Sequence, residues 1–441
     1  MTVVLEAALA FVVVLGILVL IHEFGHFAMA KLLRVRVETF SVGFGPRLLG
    51  IRRGDTDYRL SAIPLGGYVK MTGENPDETP SGDPAELSSR PRWQRFLVFV
   101  MGALLNILLA VVVMTIFFYR TGRSLELADT PPVVREVLPG SNAEKVGILP
   151  GDRILEVQGK DARNPSTVVE EIFLSPGTTK RLLLERGGKK ITKEIEIGYD
   201  PKYRSGETGM KLASEAEEAP PTEDTNAVEK VLSGTPAEKA GLRPGDKIIA
   251  INGHDLPTRS ELVTLIRESK GKTVGLGIKR GAERLDVRVV PETVSGSGRI
   301  GVEFVHERLN LASAFVESLR YNRDNAALLF VTLKSLVRLH VSPRVMSGPG
   351  EIAAAAWQAF QLGLDSSLHF LGFVSLQLGI INLLPIPMLD GGHIFILLVE
   401  GTIRRDLSAV LKERVMQAGL IFLLLFAGIV IYFDVVKLAF Q

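Results

Sequence analysis

Residues 1–26 read MTVVLEAALAFVVVLGILVLIHEFGH, an apolar run with one charge, Glu6, before it ends in His22-Glu23-Phe24-Gly25-His26. About 20 mostly apolar residues are what a helix needs to cross a lipid bilayer. Three further segments share this character. Residues 96–118 and 415–433 carry no charge. Residues 370–389 are apolar apart from Ser375, Gln377 and Asn382 until the run closes at Asp390, and 391–399 continue it. Globular helices are rarely uncharged all round over such lengths, so the sequence predicts four membrane spans. The first lacks the basic leader and small-residue cleavage site of a signal peptide and leads directly into reactive residues, so it is read as retained.

The remaining composition fits this division. The chain has 441 residues, 46% hydrophobic and 23% charged, with 51 Lys and Arg against 49 Asp and Glu. A net charge of +2 gives no basic field for nucleic acid. The absence of Cys excludes disulfides, a thiol nucleophile, Cys-ligated zinc and iron–sulfur clusters. Lys31, Arg34 and Arg36 follow the first span, Arg90, Arg92 and Arg95 precede the second, and Arg404, Arg405, Lys412 and Arg414 follow the third. The positive-inside rule therefore places 31–95 and 400–414 in the cytoplasm, and both termini and 120–345 outside.

The long insert is a repeat. Residues 139–159, PGSNAEKVGILPGDRILEVQG, return as SGTPAEKAGLRPGDKIIAING at 233–253, an offset of 94. Two copies of one domain of about 90 residues follow. Each copy predicts a short helix ending at Gly, a Pro-Gly-Asp turn and an alternating strand, with further strands at 181–187, 193–197, 275–279 and 285–290. The copies resemble PDZ domains, which implies capture of an extended peptide at a sheet edge or steric filtering above the membrane. Glu-rich 214–225 reads as a linker or mobile loop, and 308–340 as an amphipathic helix on the membrane surface or packed on the second copy.

The chemistry lies in the first span. His22 and His26 are i and i+4, on one helical face, and can present imidazole nitrogens to one zinc ion. Glu23 is placed to take a proton from water at the metal and deliver it to a leaving group. Ionisable residues inside apolar spans cost about 2.5–3.5 kcal/mol each on insertion scales and are functional by default. Catalytic zinc has three protein ligands. Asp390, closing N-L-L-P-I-P-M-L-D-G-G (382–392), leads the candidates, with His393 next and Glu400 as a further alternative, while His369 at the far end of that span reads as interfacial. Pro385 and Pro387 forbid a continuous helix and Gly391-Gly392 permit close backbone approach. Broken backbone at membrane depth must face protein or a wet cavity, so the break should face the histidines. Asn382 is either a donor to a developing oxyanion or a helix–helix bond.

HEFGH in a first span, N-x-x-P-x-P-x-L-D-G-G in a later one and two PDZ-like copies between the second and third spans resemble the site-2 protease family of intramembrane zinc metalloproteases, across essentially the whole chain. The resemblance implies zinc ligands at His22, His26 and Asp390, the acid/base at Glu23, and a role for Asn382 in holding substrate or transition state. It also implies that 37–71, which reads as short strands with Gly turns, is a hairpin dipping toward the site from the cytoplasmic face, with Gly66-Gly67 near its substrate-pairing edge. The expected protein is thus a polytopic α-helical membrane protein with four transmembrane helices, a cytoplasmic-side membrane-associated β-hairpin and two β-rich PDZ domains. Its domains would be 1–120, 121–212, 213–307 and 308–441. By resemblance it would sit in a bacterial inner membrane and cleave a single-pass protein such as an anti-sigma factor or a signal-peptide remnant, with Pro385 and Pro387 lining the substrate site. The rival readings are a membrane-anchored PDZ adaptor without catalysis and a zinc transporter.

Overall fold

The structure is a computed structural model that describes residues 2–74, 82–122, 131–163, 165–200, 205–213, 226–255, 259–294, 297–304, 309–338 and 346–439. The expected linker at 214–225 and Leu339 lie outside these residues. The chain divides into two compact units, Met1–Arg120 with Asn310–Gln441, and Thr121–Leu309.

The first unit carries helices α1 (Thr2–Leu32), α2 (Arg92–Thr121), α3 (Leu311–Val337), α4 (Pro349–Gln361), α5 (Leu364–Asn382), α6 (Asp390–Ile403) and α7 (Ala409–Ala439), with strands β1 (Val37–Arg53) and β2 (Thr56–Met71) between α1 and α2. Among the described residues, four helices are long and apolar enough to cross a membrane: Leu5–Leu32, Arg92–Thr121, Leu364–Asn382 and Ala409–Val436. The first is longer than the expected 1–21, so the histidine motif lies within it. The third differs more. It begins before 370 and stops at Asn382, because Pro385 and Pro387 supply no N–H to continue the ladder. Leu383 and Leu384 close i−3 bonds to Ile380 and Ile381, and Met388 takes φ +80° before α6 begins at Asp390. A Cβ on Gly391 would strike the Leu384 carbonyl, and one on Gly392 the Ile386 carbonyl, so both glycines are required for the turn.

Apolar side chains face out on these helices. α1 exposes Leu5, Leu9, Val13 and Ile17, and α2 exposes Leu104, Leu108, Val112 and Ile116, each set at spacing four. α3 covers the helix expected over 308–340. Its buried face is Ala314, Ser318, Asn322 and Ser335, while Phe315 and Leu319 are exposed. It packs on α2 and α5 through Thr115–Ser318 (3.0 Å) and Tyr321–His369 (2.9 Å). A small, polar interface suits helices packing in lipid, where hydrophobicity does not drive association. α4 was not anticipated. It lies against α1 and α7, and Asp434 of α7 accepts from the amides of Gly350 and Glu351 at its start.

β1 and β2 are each bent, so their register resolves into four short antiparallel segments. Residues 37–42 pair with both 67–71 and 57–60, and 57–60 also pair with 49–52. Val37 and Met71 anchor the hairpin in a core with Ala30 and Val98, while Leu48, Leu49, Ile51 and Ile63 are exposed.

The second unit holds the repeats. In the first, strands Met210–Ala213, Val133–Val137, Arg153–Val157, Thr179–Arg186 and Lys189–Glu196 are neighbours in that order. In the second, His254–Asp255, Lys247–Ile251, Val274–Arg280 and Glu283–Val289 follow one another, with Val228–Val231 paired to Val302–Phe304. The cores obey the same offset: Val134/Val228, Ala143/Ala237, Ile148/Leu242, Ile154/Ile248, Leu182/Leu276, Leu184/Ile278 and Ile195/Val289 are all buried. So does a clamp that the aligned block missed. Arg186 binds Asp152 (2.6 Å) and the Gly147 carbonyl (2.9 Å), and Arg280 binds Asp246 (2.7 Å) and the Gly241 carbonyl (2.8 Å).

Candidate metal centre

Two distant stretches of sequence meet where α1, α2 and the start of α6 cross. His22 Nε2 lies 3.1 Å and His26 Nε2 3.4 Å from Asp390 Oδ2, and the two nitrogens are 3.2 Å apart. His26 Nδ1–H donates to the Val98 carbonyl at 2.8 Å. That fixes its tautomer and leaves Nε2 as a bare lone pair in the neutral ring. Among the described residues, Asp390 Oδ2 is buried without a hydrogen-bond donor. Lone pairs therefore converge on one point, which a cation resolves. Their separations also fit one. Ligand bonds of about 2.0–2.1 Å in a tetrahedron give edges of about 3.3–3.4 Å, the spacing found here.

Local sequence builds the approach. A Cβ on Gly25 would lie 2.5 Å from the Met101 carbonyl, and one on Gly102 would run into the His26 ring, so these glycines let α1 and α2 cross closely. Asp390 occupies the first turn of α6, where the helix dipole favours an anion. Gly419 of α7 leaves room for Pro387, which a Cβ would strike.

Glu23 stands apart from the three. It is half-buried, and its Oε2 accepts from Val69 N–H of β2 at 3.0 Å. Val69 sits in the 67–71 segment, which pairs on its other side with 37–42. Gly67 lies beside Glu23, and Gly66, at φ +114°, packs under Phe44 and Val19. Asn382, the last residue of α5, places Nδ2 3.5 Å from His22 Nδ1.

The other candidate ligands are placed elsewhere. His393 stacks on Phe99 with ring centroids 4.6 Å apart. Glu400 is fully buried and accepts from Lys412 Nζ (2.7 Å) and Leu407 N–H (2.9 Å). Both line a cavity of about 330 Å³ with Glu74, Arg95 and Lys412. Burial raises the Glu74 carboxyl to about 7. His369 shares a hydrogen bond with Tyr321, away from the three. Sequence reasoning missed Val98, Gly102 and Asn106 of α2. Their signal was a lone amide in an otherwise apolar span, at spacing four from a glycine.

Two histidines and an aspartate thus form a candidate metal centre among helices long and apolar enough to cross a membrane. The profile of peptidase family M50 matches residues 10–426, and the chain belongs to that family and is a zinc metalloprotease. A Neisseria meningitidis protein named as a zinc metalloprotease is 30% identical over 458 residues, covering 98% of this chain and 100% of that one. The regulator of sigma-E protease RseP of Salmonella typhimurium and that of Escherichia coli K12 are each 29% identical over 453 residues, 97% of this chain and 98% of theirs. A solved PDZ domain of the SdrC-like protein of Listeria monocytogenes is 28% identical over 19% of this chain and 90% of its own, with a TM-score of 0.18.

Proposed function

We propose that His22, His26 and Asp390 hold the zinc ion, and that Glu23 is the acid/base in hydrolysis of a peptide bond within or beside the membrane span of a single-pass protein. The observation that carries this reading is the convergence of three ligand atoms within 3.1–3.4 Å of one another, beside a carboxylate that is not one of them. When bound, zinc supplies the Lewis acidity that makes water nucleophilic near neutral pH.

The chain's own residues do the rest. Val69 N–H holds Glu23 Oε2, leaving Oε1 to accept the proton of the attacking water. As the water oxygen bonds to the carbonyl carbon and the C–N bond breaks, that proton passes to the departing amine. Asn382 faces the same space and donates to the substrate carbonyl oxygen as it gains charge. The 67–71 segment pairs with substrate drawn out of helix, with Gly66-Gly67 allowing close approach, and Pro385 and Pro387 line the opposite wall.

The substrate class follows from the resemblance and from the relatives named as regulators of sigma-E: an anti-sigma factor, with signal-peptide remnants as a second class. The location is the bacterial inner membrane, with termini and repeats outside and the site toward the cytoplasm. The repeats act as PDZ domains that capture a chain end or exclude bulky substrates.

The test is Glu23→Gln in the purified chain with a model single-span substrate. Zinc content is expected to stay at wild type while cleavage falls by roughly 10²–10⁴-fold, the range of general acid–base catalysis. Unchanged cleavage overturns the assignment.

A further inference from the structure

We infer that Asn106 is a positioning residue that fixes the His22 ring for metal binding by accepting a hydrogen bond from His22 Nδ1–H. The inference rests on the reading of His22, His26 and Asp390 as the metal centre.

Val98, Gly102 and Asn106 are spaced four apart on the face of α2 that meets α1. Each serves the histidines. Val98 supplies a carbonyl to His26 Nδ1–H at 2.8 Å. Gly102 admits the rings, since a Cβ there would also lie 2.9 Å from His22 Cε1. Asn106 places its amide nitrogen Nδ2 3.4 Å from His22 Nδ1. The two histidines, four residues apart on α1, therefore have their second nitrogens served by positions eight apart on α2.

The tautomer decides what Asn106 must offer. His22 turns Nε2 toward His26 and Asp390. A ligating Nε2 is a lone pair, so Nδ1 carries the hydrogen and needs an acceptor. Asn106 is fully buried, and its Oδ1 finds no partner among the described residues. Turning the amide so that Oδ1 faces the ring satisfies both groups at once. The backbone there is pinned, because Ser375 Oγ of α5 donates to the Asn106 carbonyl at 2.7 Å.

Asn382 lies 3.5 Å from the same nitrogen, but one N–H needs one acceptor. Asn106, fully buried on a continuous helix, takes it. Asn382, half-buried where α5 ends at the break, is left to meet substrate.

The experiment measures zinc affinity of the full-length purified chain by competition with a chelator. Asn106→Leu keeps the volume and removes the acceptor, and should weaken zinc binding by roughly 10–100-fold with the unfolding temperature of the zinc-free protein unchanged. Asn106→Asp keeps an oxygen in place and should bind zinc at least as tightly as wild type. Wild-type affinity in Asn106→Leu, or equal loss in both variants, overturns the inference. Should Asn106→Leu not fold, ¹⁵N spectra of His22 in the zinc-loaded wild-type chain decide: protonated Nδ1 supports the inference, and a ring protonated at Nε2 or ligating through Nδ1 overturns it. Asp390→Ala separates the two readings. If it too retains zinc, the metal centre itself is wrong; if it alone loses zinc, only the role of Asn106 fails.

Discussion

Helix α2 exposes Leu104, Leu108, Val112 and Ile116 and buries Asn106 and Thr115, whereas strand Arg153–Val157 of the first repeat buries Ile154 and Val157 and exposes Arg153. The contrast extends through both units. Lipid is as apolar as Leu, so membrane helices gain nothing by hiding Leu from it. They associate through close-approach glycines such as Gly25, Gly102 and Gly379, and through polar bonds such as Ser375–Asn106. The repeats bury Ile and Leu instead, as chains do where removing apolar surface from water contributes about 25 cal/mol per Å², and their buried charges Asp152 and Asp246 serve as clamps. A buried polar residue thus means chemistry or helix contact in one unit and turn geometry in the other. Substitutions in the two should fail in different ways.

The largest separation is expected from Asp390→Ala. It removes one ligand and leaves His22 and His26 as an incomplete site. Zinc affinity should fall by more than the roughly 10–100-fold that loss of an outer partner costs, and cleavage with it. The repeats should keep wild-type protease resistance. Metal analysis with limited proteolysis reads both. Full zinc occupancy would shift the third ligand to another residue and remove the membrane half of the contrast.

Arg186→Ala and Arg280→Ala are the converse. Each leaves a carboxylate at 1% exposure without its partner. Breaking a fully buried pair costs about 3–5 kcal/mol. The arginines are about a third exposed, at 34% and 30%, so a smaller loss is expected here. Zinc binding should not change. Acid probes the same clamps. The Arg186 and Arg280 guanidiniums and the turn amides of Leu149 and Arg243 outweigh burial and hold Asp152 and Asp246 below the usual aspartate value. Their contribution is complete above that value, about 3.9. It is lost as pH falls further, because the unfolded chain then takes up the proton first. Protection from hydrogen exchange at the two Pro-Gly-Asp turns, taken relative to the intrinsic rate at each pH from 6 to 3, should fall in wild type and already be low in the Arg variants. Equal protection in the variants would show the clamps to be idle.

What could be read from sequence in each unit follows the range of the interaction. His22 and His26 are related by a helical turn, so their pairing is local and visible in five letters. Asp390 could be ranked above His393 and Glu400 but not chosen, because the choice rests on how a broken backbone 364 residues downstream of His26 turns back. His393 on Phe99 and Glu400 on Lys412 are satisfied by partners that no spacing announces. In the repeats the offset of 94 was visible in the block around Pro-Gly-Asp, and Arg186 and Arg280 obey it, but they lie on a later strand where the intervening residues differ. Where α3 packs was not legible, because its apolar stripe is the conspicuous one while its small polar stripe is the packed face. α4 carried start signals, Pro349 at its first position and Glu351 in its first turn, that an Ala-rich run without a strong apolar period obscured.

The smallest effect compares the repeats with each other. The helix Asn142–Lys145 is capped by Ser141, whose Oγ accepts from Glu144 N–H at 3.3 Å, while Glu144 accepts from Gly140 N–H at 2.6 Å. In the second copy Glu238 makes the same bond to Gly234 N–H at 2.6 Å, but Thr235 donates to the Leu232 carbonyl and caps nothing. Pro236 takes the first helical position instead, where its fixed φ favours the turn without a hydroxyl. Ser141→Ala should therefore cost about 1 kcal/mol and Thr235→Ala only a few tenths. The amides of Ala143 and Ala237 report this directly, since each bonds to a carbonyl between two strands, at Thr208 and Ile300. Faster exchange at Ala143 alone supports the asymmetry. Equal acceleration at both would mean that the hydroxyls act through Leu138 and Leu232, at the loop before each helix, rather than through the cap.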